Sequence, residues 1–148
     1  MRVEINYVTN PKQERVVLEC MELKGEFADI HAYCLAKSCA LSVFEKERMR
    51  RLNVHDILYF EALEERVFAY TQDGVYEVKK RLYELSEEYG SYHFVRCSKA
   101  FVIQLLKVES IRPAFNGRYC ARMCNGEDVI ISRKYARIVK SKIMEGFE

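Results

Sequence analysis

Phe94-Val-Arg-Cys-Ser-Lys-Ala-Phe-Val-Ile-Gln104 reads as apolar strand interrupted by polar and basic residues that a core would not ask for. Alternating apolar side chains mark strand, and a polar break between two such runs marks a turn. The stretch therefore predicts a strand and turn that present Arg96, Ser98 and Lys99 outward. Further along, Ile131-Ser-Arg-Lys-Tyr-Ala-Arg-Ile-Val-Lys-Ser-Lys-Ile143 adds a second basic element with no acidic residue in it. Two such elements point to a surface that meets phosphate.

Strand signals continue on both sides of this stretch. Segments 40–45, 50–54, 57–60, 67–71 and 74–78 precede it, with Gln72-Asp-Gly74 as a hairpin signal, because Asp-Gly supplies the positive φ values that a tight turn requires. Residues 79–89 read as a helix with Leu82, Leu85 and Tyr89 on one face and Gly90 as its stop. Strands are expected near 93–96, 101–104, 107–112, 117–123 and 128–131, with turns at Asn116-Gly117 and Asn125-Gly126. Ser132 is placed to cap a short helix over the basic segment 132–144. At the other end, Arg2-Val-Glu-Ile-Asn-Tyr and Glu14-Arg-Val-Val-Leu-Glu-Cys20 predict two strands around a turn at Thr9-Asn10-Pro11. Phe27, Ile30, Tyr33 and Cys34 then place a helix over 26–37, for a β-β-α extension. The fold class is mostly β with few helices.

The 148 residues suffice for one ordinary domain with a short N-terminal appendage, divided here as 1–45 and 46–148. Net charge is +2, but its distribution is uneven: residues 1–90 hold 13 basic and 17 acidic side chains, while residues 91–144 hold 11 and 3. An anionic partner for the C-terminal part follows from that asymmetry. Six cysteines without a paired C-x-x-C and three scattered histidines give no metal-ligand spacing, so no metal and no cofactor is expected. There is no signal-peptide h-region and no run long enough to span a membrane, which reads as a cytoplasmic protein with reduced thiols.

The motifs run Asp56-Ile-Leu-Tyr-Phe-Glu61, an aromatic strand into Tyr70-Thr, Val75-Tyr-Glu and Leu82-Tyr-Glu-Leu85. They continue through Phe94-x-Arg96-x-Ser-Lys-x-Phe-Val-Ile-Gln to Asn125-Gly-Glu and Ile131-Ser-Arg-Lys-Tyr135. In this order they resemble the LytTR family of bacterial transcription regulators. The resemblance covers roughly residues 50–144. It implies an elongated arrangement of short β-sheets that lays loops and a C-terminal segment into successive major grooves on one DNA face. Many members carry a receiver domain ahead of this module. Residues 1–45 are too few for one, so the chain is similar to the stand-alone subgroup with a small α/β extension, often encoded beside a small membrane protein. The family's habit of binding paired sites further implies a homodimer. Ser98 and Lys99 stand where relatives more often have histidine and arginine or asparagine. Ala100 replaces a serine and Gln104 an asparagine, which leaves sequence preference open.

The resemblance assigns Arg133 to a base contact, for which a planar guanidinium can bond guanine O6 and N7 together; the alternative is a solvated arginine at a helix start. Lys99 is expected to reach a base edge or a phosphate, with Ser98 beside it as donor and acceptor. Arg66, in the loop after the Ile57 strand, either enters a groove or forms an ion pair with a neighbouring glutamate. Arg96 either touches DNA or braces the turn. Arg118, Lys134, Arg137, Lys140 and Lys142 are expected at phosphates or solvated. Tyr59, Phe60, Phe68, Tyr70, Phe101 and Phe115 are expected in the core in preference to a base-stacking platform.

A sequence-specific regulator of double-stranded DNA, without catalysis and without a small-molecule substrate, is therefore the leading reading. Its competitor is a protein-interaction module whose basic face docks an acidic partner such as a cytoplasmic segment of a membrane protein. No nucleophile elbow, phosphate loop or carboxylate pair supports an enzyme.

Overall fold

Hairpins with local pairing build most of the molecule, whose computed structural model describes residues 1–147. β1 (Ala40–Glu45) pairs with β2 (Arg48–Asn53), and β3 (Tyr59–Leu63) pairs with β4 (Arg66–Tyr70), each antiparallel. With β5 (Val75–Val78), β6 (Phe94–Arg96) and β7 (Phe101–Gln104) they form a seven-stranded sheet in the order β2-β1-β5-β4-β3-β7-β6. A second sheet holds β8 (Val108–Pro113), β9 (Tyr119–Met123) and β10 (Asp128–Ile131) in the order β10-β9-β8. Three α-helices, α1 (Glu26–Ser38), α2 (Leu82–Glu88) and α3 (Arg133–Phe147), and five short 3-10 turns complete the described elements.

Alternation along β3, β6 and β7 decides the layering. Phe60, Phe94 and Val102 point to one side, where they meet Leu82 and Leu85 of α2; Tyr59, Val95 and Ile103 point to the other, where they meet Ala121 and Met123 of β9 and Val139 of α3. These strands are thus buried on both faces. The central sheet lies between α2 on one side and the small sheet with α3 on the other. Gln104, 1% exposed, donates from Nε2 to the carbonyls of His55 and Ile57 at 3.1 and 2.6 Å, which satisfies its amide and pins the 3-10 turn Val54–Asp56 to β7.

Several local expectations are corrected. Residues 2–7 and 14–20 do not form strands among the described residues; they lie exposed, except for a half-buried Leu18, around a 3-10 turn at Pro11–Gln13. An alternating pattern specifies only what a strand would bury, and neither segment has a partner strand among the described residues. The helix expected from residue 79 begins at Leu82, where Glu84 Oε1 accepts from the Arg81 N–H at 3.2 Å. It ends at Glu88 with Tyr89 as its C-cap at φ −109°; Gly90 follows without a positive φ and opens a 3-10 turn, Gly90–Tyr92, which His93 closes in the left-handed region, φ 69°. The Asp73-Gly74 turn closes without positive φ: Thr71 Oγ1 accepts from the N–H groups of Asp73 and Gly74, at 3.2 and 3.1 Å. A Cβ at position 74 would lie 3.0 Å from Tyr76 Oη, so any other residue there requires that ring to shift. The basic helix runs 15 residues, longer than the short one expected. Phe115 is 89% exposed and so stands outside the core.

Candidate nucleic-acid interface

The turn between β6 and β7 is held by its own side chains. Arg96 donates from Nε to the Ser98 carbonyl and from a terminal nitrogen to the Lys99 carbonyl, both at 2.7 Å. Ser98 Oγ accepts from the N–H groups of Ala100 and Phe101, at 3.2 and 3.1 Å. Arg96 therefore works inward as the brace of the turn. With both residues so engaged, Lys99 is left exposed at the tip, and no side-chain partner is recorded for it among the described residues. Under the turn, burial pushes the Cys97 thiol up to about 12, so it stays protonated.

Two backbone hydrogen bonds tie neighbouring elements to this turn. The Ser132 N–H donates to the Cys97 carbonyl at 2.8 Å, which sets the start of α3 beside it. The Ala62 N–H donates to the Ala100 carbonyl at 2.8 Å, which brings the β3–β4 hairpin alongside. Arg133 opens α3 with its stem across Gly117, whose φ is +73°; a Cβ there would lie 3.1 Å from Arg133 Cγ and Cδ. This contact joins the Asn116-Gly117 turn, and Arg118 after it, to the same edge. Arg133, Arg118 and Arg137 are exposed and have no recorded side-chain partner among the described residues. Lys134 lies over the Tyr135 ring at 5.4 Å. Lys140 is engaged inward, donating to Tyr119 Oη at 2.7 Å and so fastening α3 to β9.

Arg66 lies on an open groove of about 490 Å³ shared with Lys79, Lys80, Arg81, Arg96 and Lys99. Its guanidinium donates to Glu77 Oε2 at 2.6 Å and stacks over Phe68 at 5.2 Å. Lys79 reaches the other Glu77 oxygen at 3.0 Å. These two cations hold the Glu77 carboxyl at about 2, well below the ordinary range, and the pairing raises the Arg66 guanidinium in turn. The ion-pair alternative for Arg66 is thus the one observed, with Glu77 across the sheet as partner and not Glu64 or Glu65. Lys79, Lys80 and Arg81 escape sequence reasoning because the helix expected from residue 79 absorbs them. Val-Lys-Lys-Arg-Leu before an Arg81 N-cap was the available signal.

Among the described residues no group of His, Cys, Asp and Glu is arranged to hold a metal ion, and no helix is long and apolar enough to cross a membrane.

Residues 47–144 match the family model described as the LytTr DNA-binding domain. The Escherichia coli K12 transcriptional regulatory protein YpdB is 31% identical over 83 residues; the match takes in 56% of this chain and 34% of YpdB, so the chain spans about a third of that relative's length. An uncharacterized HTH-type transcriptional regulator of Staphylococcus aureus strain NCTC 8325 is 27% identical over 109 residues, 74% of each chain. Among solved structures, a LytTr DNA-binding domain of a methyl-accepting/DNA response regulator from Bacillus cereus superposes with a TM-score of 0.66. That likeness covers 69% of this chain and 94% of the other at 20% identity, and it concerns the fold.

Proposed function

The chain belongs to the LytTR family of DNA-binding domains through residues 47–144, and from that premise we propose that it is a sequence-specific regulator of transcription that reads the major groove of double-stranded DNA without catalysis. What supports this reading is that the start of α3, which carries Arg133, and the β3–β4 hairpin, which carries Arg66, are each bonded to the turn that carries Lys99, through the Ser132–Cys97 and Ala62–Ala100 backbone hydrogen bonds. Arg133 is the base reader in this scheme, since its stem is held by Gly117 while its guanidinium is exposed. Lys99 and Arg66 flank it, while Arg118, Lys134 and Arg137 neutralise phosphates. Ser98 and Arg96 shape the turn that carries Lys99. The reading puts the protein in the bacterial cytoplasm with duplex DNA as partner.

Selection of duplexes from a random pool by the purified chain, repeated with Arg133→Ala, tests the assignment. Enrichment of a short motif that blurs at one position in the variant is expected, at a cost of about 1–3 kcal/mol on the selected site. Equal loss on every sequence would make Arg133 a phosphate clamp. If about six phosphates are neutralised, log K falls against log salt with a slope of roughly −5. A flat salt response would overturn the reading in favour of an acidic protein partner.

A further inference from the structure

Residues 1–24 carry the pattern of two strands, yet no strand pairing is found there among the described residues. In the first segment Val3, Ile5 and Tyr7 recur at every second position and are 78%, 75% and 93% exposed. In the second, Val16, Leu18 and Cys20 share one side of an extended chain, and Arg15, Val17 and Glu19 share the other. Val16 and Val17 are 69% and 62% exposed. Apolar stripes of this kind favour a state that removes them from water.

We propose that residues 14–20 pair antiparallel with the same segment of a second copy of this chain, about a two-fold axis through Val17. The argument is the segment's complementarity to itself. Antiparallel pairing about Val17 sets Val17 against Val17, Val16 against Leu18 and Arg15 against Glu19, and symmetry repeats the last two. Arg15 and Glu19 form no ion pair within the chain among the described residues, so both are available. Moving the axis to Val16 sets Arg15 against Val17, and moving it to Leu18 sets Glu19 against Val17. The charges therefore specify one register. Two strands alone are marginal, and the 3-10 turn at Pro11–Gln13 lies where residues 2–7 can fold back as flanking strands, making four from two chains.

Sedimentation velocity of the full chain over a range of concentrations tests this, with Arg15→Glu, Glu19→Arg and the double reversal. The native chain should form a dimer. Each single reversal sets like charges opposite one another twice and should weaken the dimer roughly tenfold or more, whereas the double reversal restores it. Rescue is diagnostic, because residues four apart on one strand are about 13 Å from each other and cannot meet within a chain. Circular dichroism should be unchanged in helix content across the set, since the substituted residues lie outside both cores. A chain that stays monomeric throughout, a dimer indifferent to the single reversals, or a double reversal that fails to recover would each overturn the proposal.

Discussion

Arg96 and Arg133 belong to one edge but are used in opposite directions. Arg96 ties two carbonyls of its own turn, while Arg133 extends outward over Gly117. Arg96→Ala should therefore cost about 1.5–3 kcal/mol of stability for the loss of charge-assisted hydrogen bonds, read as a lower denaturant midpoint. Arg96→Lys should recover little of it, since an ammonium cannot span both carbonyls as the planar fork does. On DNA the same variant should lose affinity on every sequence alike, the mark of a misplaced Lys99. Gly117→Ala separates backbone from reader: a side chain at φ +73° costs about 1–2 kcal/mol, and its Cβ displaces the Arg133 stem. Reduced preference at the position proposed for Arg133, in the duplex selection, would be the accompanying signature. Asn116-Gly117 was legible as a turn, since few residues accept those φ values. That its glycine would lie beneath Arg133 was not, because sequence separation hides which stem crosses which turn.

Among the elements, the link between β5 and α2 holds the clearest surprise. Lys79, Lys80 and Arg81 lie before the helix and line the groove that also holds Arg66 and Lys99. If Lys80 and Arg81 each neutralise a phosphate, Lys80→Ala and Arg81→Ala should each reduce the magnitude of the log K against log salt slope by about 1, measured by fluorescence anisotropy on one duplex. An unchanged slope would confine DNA to the Lys99–Arg133 side. Glu77 organises this groove. Its folded pKa lies below that of a free carboxyl, so its contribution is complete above about pH 4.5 and is lost as pH falls toward 2. Near neutrality it therefore restrains Arg66 and Lys79 without titrating. The helix was legible from Leu82, Leu85 and Tyr89, but its start depended on which group could accept from the Arg81 N–H, and that partner is Glu84.

At the scale of the molecule, α1 acts as a strut against the DNA-binding module. Asn53 donates to the Lys37 carbonyl at 2.7 Å, Tyr33 meets the His55 ring edge-on at 4.4 Å, and His93 faces Asp29 at 3.7 Å. Burial lowers the pKa of both imidazoles, and Lys107 and Lys37 add to this at His55. Groups whose folded pKa is depressed contribute stability that is present above the free histidine value near 6.5 and lost as pH falls through the folded value. The thermal midpoint should accordingly drop between pH 7.5 and 5, with a flatter profile in His55→Gln and His93→Gln. Asp29, whose pKa is raised by burial, has the opposite slope.

Composition and local pattern were enough to determine that this chain is mostly β, that its C-terminal part is basic, and which motif order it shares with its relatives. Those properties depend on neighbours within a few residues, where side-chain period and turn chemistry act directly. Tertiary structure alone decided that Arg66 faces Glu77, and that Ser132 before α3 and Ala62 of β3 both bond the turn that carries Lys99. Each of these rests on a hydrogen bond or close contact between residues distant in sequence, and alternation within a strand specifies a face without specifying what that face will meet.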